Sequence, residues 1–279
     1  MEANKKTELL KMAARIRMGV VTGTFYAKSG HPGGSLSIAD LLAYLYTDVM
    51  RVDPQNPNDP ERDRLVLSKG HCCPALYAAL ALRGFFDFDA LKTLRAPDSF
   101  LQGHPDRKKT PGVDMSTGSL GQGISAACGM ALAGKLDHKD YRVYAILGDG
   151  EMQEGEVWEA LMFAAHQKLS NLTVFADLNG LQIDGPVDSI CSLGDICAKY
   201  EAFGFDVYEA DGHDFDSLEQ ALAHAPAERP RAILMHTHKG RGVSFMEDQV
   251  GWHGKAPNEE QYKQAMAELE AKLDELEGK

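Results

Sequence analysis

From residue 141 to residue 237 short apolar runs alternate with helix-length segments, and this alternation restricts the fold more than any other feature of the chain. The apolar runs are residues 141–147, 171–178, 206–209 and 232–237, and the segments 155–169, 193–203 and 215–225 between them read as helices. Strands that alternate with helices pair in parallel, and a parallel sheet needs helices on both faces. Upstream, residues 64–68 form one more apolar run. Helical spacing covers 6–28, 38–49, 74–82 and 122–136. Pro54, Pro57 and Pro60 make 51–62 a loop, and the polar, Gly- and Pro-rich stretch 99–123 is long enough to be a functional loop. A charged amphipathic helix, 258–276, closes the sequence. The expectation is an α/β fold with a doubly wound, mostly parallel sheet, in one domain spanning residues 1–279.

Of the 279 residues 44% are hydrophobic, which suffices for a core of that size. The formal net charge of −12 disfavours nucleic acid and anionic membrane surfaces as partners. It also means that an anion site here needs help from a metal, backbone amides or local cations. Cys72, Cys73, Cys128, Cys191 and Cys197 are odd in number and contain no CxxC pair, which suits reduced thiols in the cytoplasm. No run of about 18 apolar residues suggests a membrane span.

In a doubly wound sheet ligands sit outside the carboxyl ends of the strands. Residues 141–147 run directly into Gly148-Asp149-Gly150 and then a helix. The glycines let backbone approach a ligand, Asp149 offers a hard oxygen to Mg²⁺ or Ca²⁺, and a helix start attracts anions. The next strand ends at Asp177-Leu178-Asn179-Gly180, and the 28 residues between Gly150 and Asn179 fit one helix and one strand. That return places Asn179 beside Asp149, where its amide oxygen can join the same metal. So sparse a ligand set suits Mg²⁺ shared with substrate phosphates.

The stretch from Gly148-Asp149-Gly150 to Asn179 resembles the thiamine diphosphate motif. Five further stretches resemble transketolases: Ser29-Gly30-His31-Pro32-Gly33-Gly34, Leu67-Ser68-Lys69-Gly70-His71, Gly103-His104-Pro105, Thr117-Gly118-Ser119-Leu120-Gly121-Gln122-Gly123 and Trp252-His253-Gly254. They fall in order along nearly the whole chain. The resemblance implies that Asp149, Asn179 and the Leu181 carbonyl hold the metal, that Gly150 gives its amide to the diphosphate, and that His71 and His253 line the diphosphate and thiazolium. Gly118, Leu120 and Ile183 would flank the cofactor, with Leu120 propping its bent shape. His31 and His104, with His253, would face the sugar, where a pKa near neutrality suits proton transfer. Glu154 and Glu159 match acidic residues that link paired active sites.

In that family the glutamate that activates the cofactor lies in a second, pyrimidine-binding domain, and no counterpart stands in this sequence. Either the sequence is a piece of a longer protein or a separate chain supplies the rest, and the polar closing helix favours the split enzyme: a transketolase N-terminal subunit that meets a C-terminal partner in a heterotetramer and transfers a two-carbon ketol unit between sugar phosphates. Another thiamine diphosphate enzyme, acting on an unusual sugar or a 2-oxo acid, is an alternative, although the four histidines argue against the 2-oxo acid dehydrogenase. A cofactor-binding module without turnover is another. A nucleotide-binding dehydrogenase fails for want of a GxGxxG turn after an early strand. The pair His236 and His238 lacks a third ligand for a metal site of its own.

Overall fold

The computed structural model describes residues 1–224 and 228–279. Its centre is a five-stranded sheet in the order β1-β2-β3-β7-β6, with every pairing parallel. The strands are β1 (Arg64–Leu67), β2 (Val143–Gly148), β3 (Leu172–Leu178), β6 (Asp206–Asp211) and β7 (Arg231–His236). A two-residue hairpin, β4 (Leu181–Gln182) with β5 (Gly185–Pro186), follows β3. Alternate side chains of each central strand enter opposite cores. Val143, Ala145 and Leu147 of β2 join one apolar cluster, and Tyr144 and Ile146 the other. Burial on both faces is why these strands read as continuous apolar runs.

Helices α5 (Gln122–Leu136), α6 (Gly155–His166) and α8 (Ile196–Ala202) cover one face. The opposite face carries α1 (Ala3–Ala27), α3 (Ala39–Tyr44), α4 (Cys73–Leu82), α9 (Phe215–Ala223) and α10 (Glu259–Glu277). Two short helices, α2 (Pro32–Ser37) and α7 (Val187–Cys191), complete the set. After β3 the chain passes to the face of α8, and after β7 it turns towards α10. The carboxyl ends of these neighbouring strands therefore open a crevice between diverging connections.

The sequence-based boundaries hold to within a few residues, with three differences. Residues 32–37, between the helices expected over 6–28 and 38–49, form α2, because Pro32 at its first turn presets the helical φ. The helix expected over 38–49 ends at Tyr44 and continues as a π-type turn, Leu45–Val49. The hairpin and α7 have too few residues to show a period. The end expected for the 215–225 helix, Ala225, lies outside the described residues. Among the described residues no helix is long and apolar enough to cross a membrane. All five cysteines are free.

α5 lies close over the end of β1 because Gly123 has no side chain: a Cβ there would sit 2.6 Å from the Ser68 Cα. In the same helix Gly129 faces open space. Gly123→Ala should therefore cost ~1–3 kcal/mol through overpacking, and Gly129→Ala should stabilise the helix by ~0.5–1 kcal/mol. Urea denaturation of the two variants checks both signs.

Candidate functional site

The site is built at the carboxyl ends of β1, β2, β3 and β7. Register places Gly148 opposite Asp177, so Asp149 is the first residue past the end of β2. Its carboxylate accepts from the Gly150 amide at 2.8 Å and from the Gly180 amide at 2.6 Å. The second bond crosses to the end of β3 and puts Asp149 beside Asn179, as the 28-residue spacing requires. Asn179 gives its amide nitrogen to Asp177 at 2.8 Å, and its oxygen accepts the Leu181 amide at 3.2 Å. Asp149, Asn179 and Leu181 thus share one wall of a cleft of about 320 Å³, with Gly118, Leu120, Gly150, Gln182 and Ile183 also in its lining.

Three of the four singled-out histidines converge on that cleft. His31 caps the start of α2, His71 sits in the tight turn after β1, and His253 ends the turn Val250–Trp252. Ring centroids of His71 and His253 are 5.2 Å apart and stacked, and His31 meets them edge-on at 5.2 and 5.4 Å. His104 stands outside this trio, 6.4 Å from His31 and exposed, over Gly118. Leu120 is 37% exposed and Ile183 63% exposed, so Ile183 is a rim residue and not part of the core. Glu154 begins α6 and Glu159 lies in it, both exposed.

Sequence reasoning assigned no role to the two lysines that organise the floor. Lys69 is 1% exposed, and its ammonium lies 2.6 Å from Asp177 and 3.0 Å from the Gly34 carbonyl. Burial alone would strip its proton, but the Asp177 carboxylate outweighs burial and holds the pKa above normal. Asp177 is fully buried; Lys69, with Thr237 and Asn179, overcomes that penalty and keeps the carboxyl ionised. Lys239, 2% exposed, donates to the Leu181 carbonyl at 2.8 Å and lies 2.9 Å from His253 Nδ1. Burial lowers its pKa. Lys69 stands inside one of the quoted stretches, and a buried lysine after a strand end was the available signal. Lys239 carried no local pattern.

The electrostatics correct one expectation. All four imidazoles are lowered from the usual histidine value. Burial, then Arg95, lowers His31 to about 4, and burial, then Lys239, lowers His253 to about 3. Burial, then Lys69, takes His71 well down, and His104 is lowered by burial and then Arg95. All four are neutral at pH 7, each able to donate from one nitrogen and accept at the other. Asp149 moves oppositely, up to about 6, through burial and then the nearby Asp177. His236 and His238 point to separate carboxylates, Glu209 and Asp248. Among the described residues no cluster of three His, Cys, Asp or Glu side chains stands ready for a metal. The Asp149–Asn179–Leu181 set is of the kind that phosphate oxygens complete.

The buried pair is the site's anchor. Lys69→Met leaves Asp177 ionised and buried with only neutral donors, and should lower the unfolding free energy by ~3–5 kcal/mol. Equilibrium unfolding in urea at pH 7 measures this; a loss below ~1 kcal/mol would mean that the neutral donors suffice.

Comparison with known proteins agrees with the fold. Residues 9–275 match the family model described as transketolase, thiamine diphosphate binding domain. A 6-deoxy-6-sulfo-D-fructose transketolase subunit from Clostridium sp. (strain MSTE9) is 51% identical over 86% of this chain and 88% of its own length. One of the subunits of the apulose-4-phosphate transketolase from Phocaeicola vulgatus is 40% identical over 94% of this chain and 93% of its own. Among solved structures, the transketolase from Leishmania mexicana superposes with a TM-score of 0.86 at 33% identity, over 97% of this chain but 45% of its own.

Proposed function

The chain belongs to the transketolase family, and from that premise we propose that it is the diphosphate-binding subunit of a split transketolase. With a second subunit it would transfer a two-carbon ketol unit from a ketose to an aldose, using thiamine diphosphate and Mg²⁺. The single observation that carries this reading is the convergence, at the ends of β2 and β3, of three hard oxygens with a cluster of neutral imidazoles in one cleft. The split is supported by the two relatives whose lengths this chain spans almost fully, both named as subunits. The same chain spans less than half of the Leishmania transketolase.

The residues present fit the cofactor and its metal. The Asp149 carboxylate, Asn179 amide oxygen and Leu181 carbonyl are hard ligands of the kind Mg²⁺ takes, and Ca²⁺ would accept the same set. Two buried polar atoms of cleft-lining residues, Gln182 Oε1 and His31 Nδ1, have no partner in the protein, and a bound polar ligand would satisfy such atoms. Thiamine diphosphate, when bound, supplies the reactive carbon and the electron sink that carbon–carbon cleavage needs.

The chain's own groups do the rest. Asp149, Asn179 and Leu181 hold the metal. The Gly150 amide, Lys239 and His71 bind diphosphate oxygens, and Lys239, whose ammonium meets a carbonyl and not a carboxylate, brings a positive charge to them. Gly118, Leu120 and Ile183 flank the ring system. His253 spans cofactor and sugar. His31 and His104 hydrogen-bond the sugar hydroxyls as neutral imidazoles and move protons at those oxygens. Glu154 and Glu159 face outward, where they suit a link between paired sites. The partner is a C-terminal transketolase subunit with the pyrimidine-binding domain and its activating carboxylate, in a cytoplasmic heterotetramer. The donor is a ketose with an anionic terminal group, and the two subunit relatives, named for a sulfonated and a phosphorylated ketose, favour testing both anions.

Ketol transfer to ribose 5-phosphate, from xylulose 5-phosphate or 6-deoxy-6-sulfofructose, tests the reading with this chain alone and mixed with the product of the adjacent reading frame. Activity only in the mixture supports it; a stable complex inactive on both donors with bound cofactor sinks it. Two variants test the site. Asp149→Ala should abolish metal-dependent cofactor binding in the assembled enzyme, followed by fluorescence quenching. In the unaltered enzyme a proton competes with the metal for Asp149, whose pKa stands at about 6, so binding should weaken as pH falls through that value and level off above it. His104→Ala should spare cofactor binding and lower turnover by ~10²–10⁴-fold, the range for a lost acid–base group; an unchanged rate removes His104 from the sugar site.

A further inference from the structure

We propose that Arg95 is a positioning residue of the ketol-transfer site: its guanidinium clamps together the two loops that carry His31 and His104 and thereby fixes the spacing of those imidazoles. The proposal rests on the function proposed above for its kinetic consequences, though not for its geometry. Arg95 follows the short helical turn Phe88–Thr93 and takes a left-handed backbone conformation, φ 62°, which a side chain other than glycine adopts at a cost. Its amide donates to the Leu101 carbonyl at 2.9 Å, which closes the turn leading back towards residues 102–104. From there the guanidinium forks. Nη1 donates to Ser29 Oγ at 3.1 Å, and Nη2 donates to the Gly103 carbonyl at 3.2 Å. Ser29 lies two residues before His31, and Gly103 immediately precedes His104. A Cβ on Gly103 would sit 3.0 Å from the Arg95 Cζ, so the guanidinium lies directly against that backbone.

The two rings are 6.4 Å apart at their centroids, and His31 Nδ1 is buried without a partner. Among the described residues no hydrogen bond reaches the His31 ring, which packs edge-on against His71 and His253, and one arm of the fork holds the hydroxyl of Ser29, two residues before it. The other arm holds the segment of His104, whose own carbonyl accepts from the Tyr77 hydroxyl at 3.0 Å. Arg95 also supplies the leading charge on both imidazoles, and with burial it keeps them neutral. The other groups facing His31 are His71, His104, His253 and Lys239; His104 faces His31 and Arg95. A lysine at position 95 would keep the charge but not the planar fork that reaches two acceptors.

The test uses Arg95→Met, Arg95→Lys and Ser29→Ala in the full chain and in its complex with the partner subunit. Imidazole titrations by NMR are read in the chain itself, and kcat, KM and pH profiles in the complex. In Arg95→Met both imidazoles should titrate at higher pH, since a repelling cation is gone, and the acidic limb of kcat/KM should move up with them. The plateau should fall by up to ~10²-fold, the size expected from a misplacement of about 1 Å. Arg95→Lys should leave the titrations in place and still lose ~10-fold in kcat/KM. Uniform loss of activity in Arg95→Met without a titration shift, or full activity in Arg95→Lys, overturns the clamp. If Arg95→Met does not fold, Arg95→Lys and Ser29→Ala decide: both must lower kcat/KM with titrations unmoved. If the complex transfers no ketol unit, the proposed function fails, while the titrations in the chain still decide whether Arg95 governs the two imidazoles.

Discussion

The Asp177 carboxylate is the contact on which the site depends. One oxygen accepts from Lys69, Ser37 and Asn179 at 2.6, 2.8 and 2.8 Å, and the other from Thr237 at 2.5 Å. Those donors come from the turn after β1, from α2, from beyond β3 and from beyond β7. One fully buried charge therefore ties together four segments that the sheet alone leaves free at their ends. Burying a carboxylate and an ammonium is costly, and the pair repays that cost only when geometry and extra hydrogen bonds are complete. Completion here requires every one of these loops in its place. A second buried carboxylate, Glu151, works the same way one strand over. It accepts from Ser68 Oγ at 2.5 Å, the Gly121 amide at 3.0 Å and the Gly148 amide at 3.1 Å. Glu151 thereby joins the loop of Gly118 and Leu120 to the ends of β1 and β2.

Each of these two carboxylates is already held by three or more donors. Each oxygen of Asp149 accepts a single amide, which leaves it lone pairs for a cation. Lys239 is the ammonium aimed at a carbonyl instead of a carboxylate. The imidazoles between them are neutral for a shared reason: burial penalises a protonated ring, and the fixed cations Lys69, Lys239 and Arg95 penalise it further. Neutral rings suit a site that must bind hydroxyls and phosphates without collecting protons of its own. An incoming metal and its phosphates change this balance, since a cation beside Asp149 favours its ionised form.

Much of this was legible in the sequence, and the rest was hidden for physical reasons. The strands were visible because burial on both faces makes them uniformly apolar. Asp149 and Asn179 were visible because a ligand site at strand ends fixes both residue type and spacing. α2 was hidden: its six residues, Pro32-Gly33-Gly34-Ser35-Leu36-Ser37, are loop-like in composition and helical by context. Asp177 passed as part of an apolar strand, since nothing local announces that its partner stands 108 residues earlier. Lys239 and Arg95 are similar cases. Their roles come from contacts with Leu181 and Gly103 that only the folded chain creates. Neutrality of the histidines was likewise unreadable, because desolvation belongs to the tertiary structure and not to the residue.

The distribution of polarity around the cleft bears on how it is completed. Its floor, made by strand ends, is polar and already bonded, whereas its lip carries Leu120 and Ile183 with 37% and 63% of their surfaces in water. Apolar area left in water forgoes ~25 cal/mol for each Å². Helix α6, which begins at the same lip with Glu154 as its cap, adds Met162 at 59% and Phe163 at 40%. On the proposed reading the cofactor's rings and the partner subunit cover these side chains. The polar floor then fixes the diphosphate end, and the apolar lip gains its burial only on assembly. Such a division makes binding and association mutually reinforcing: whatever orders the lip first reduces the entropy that the second event must lose.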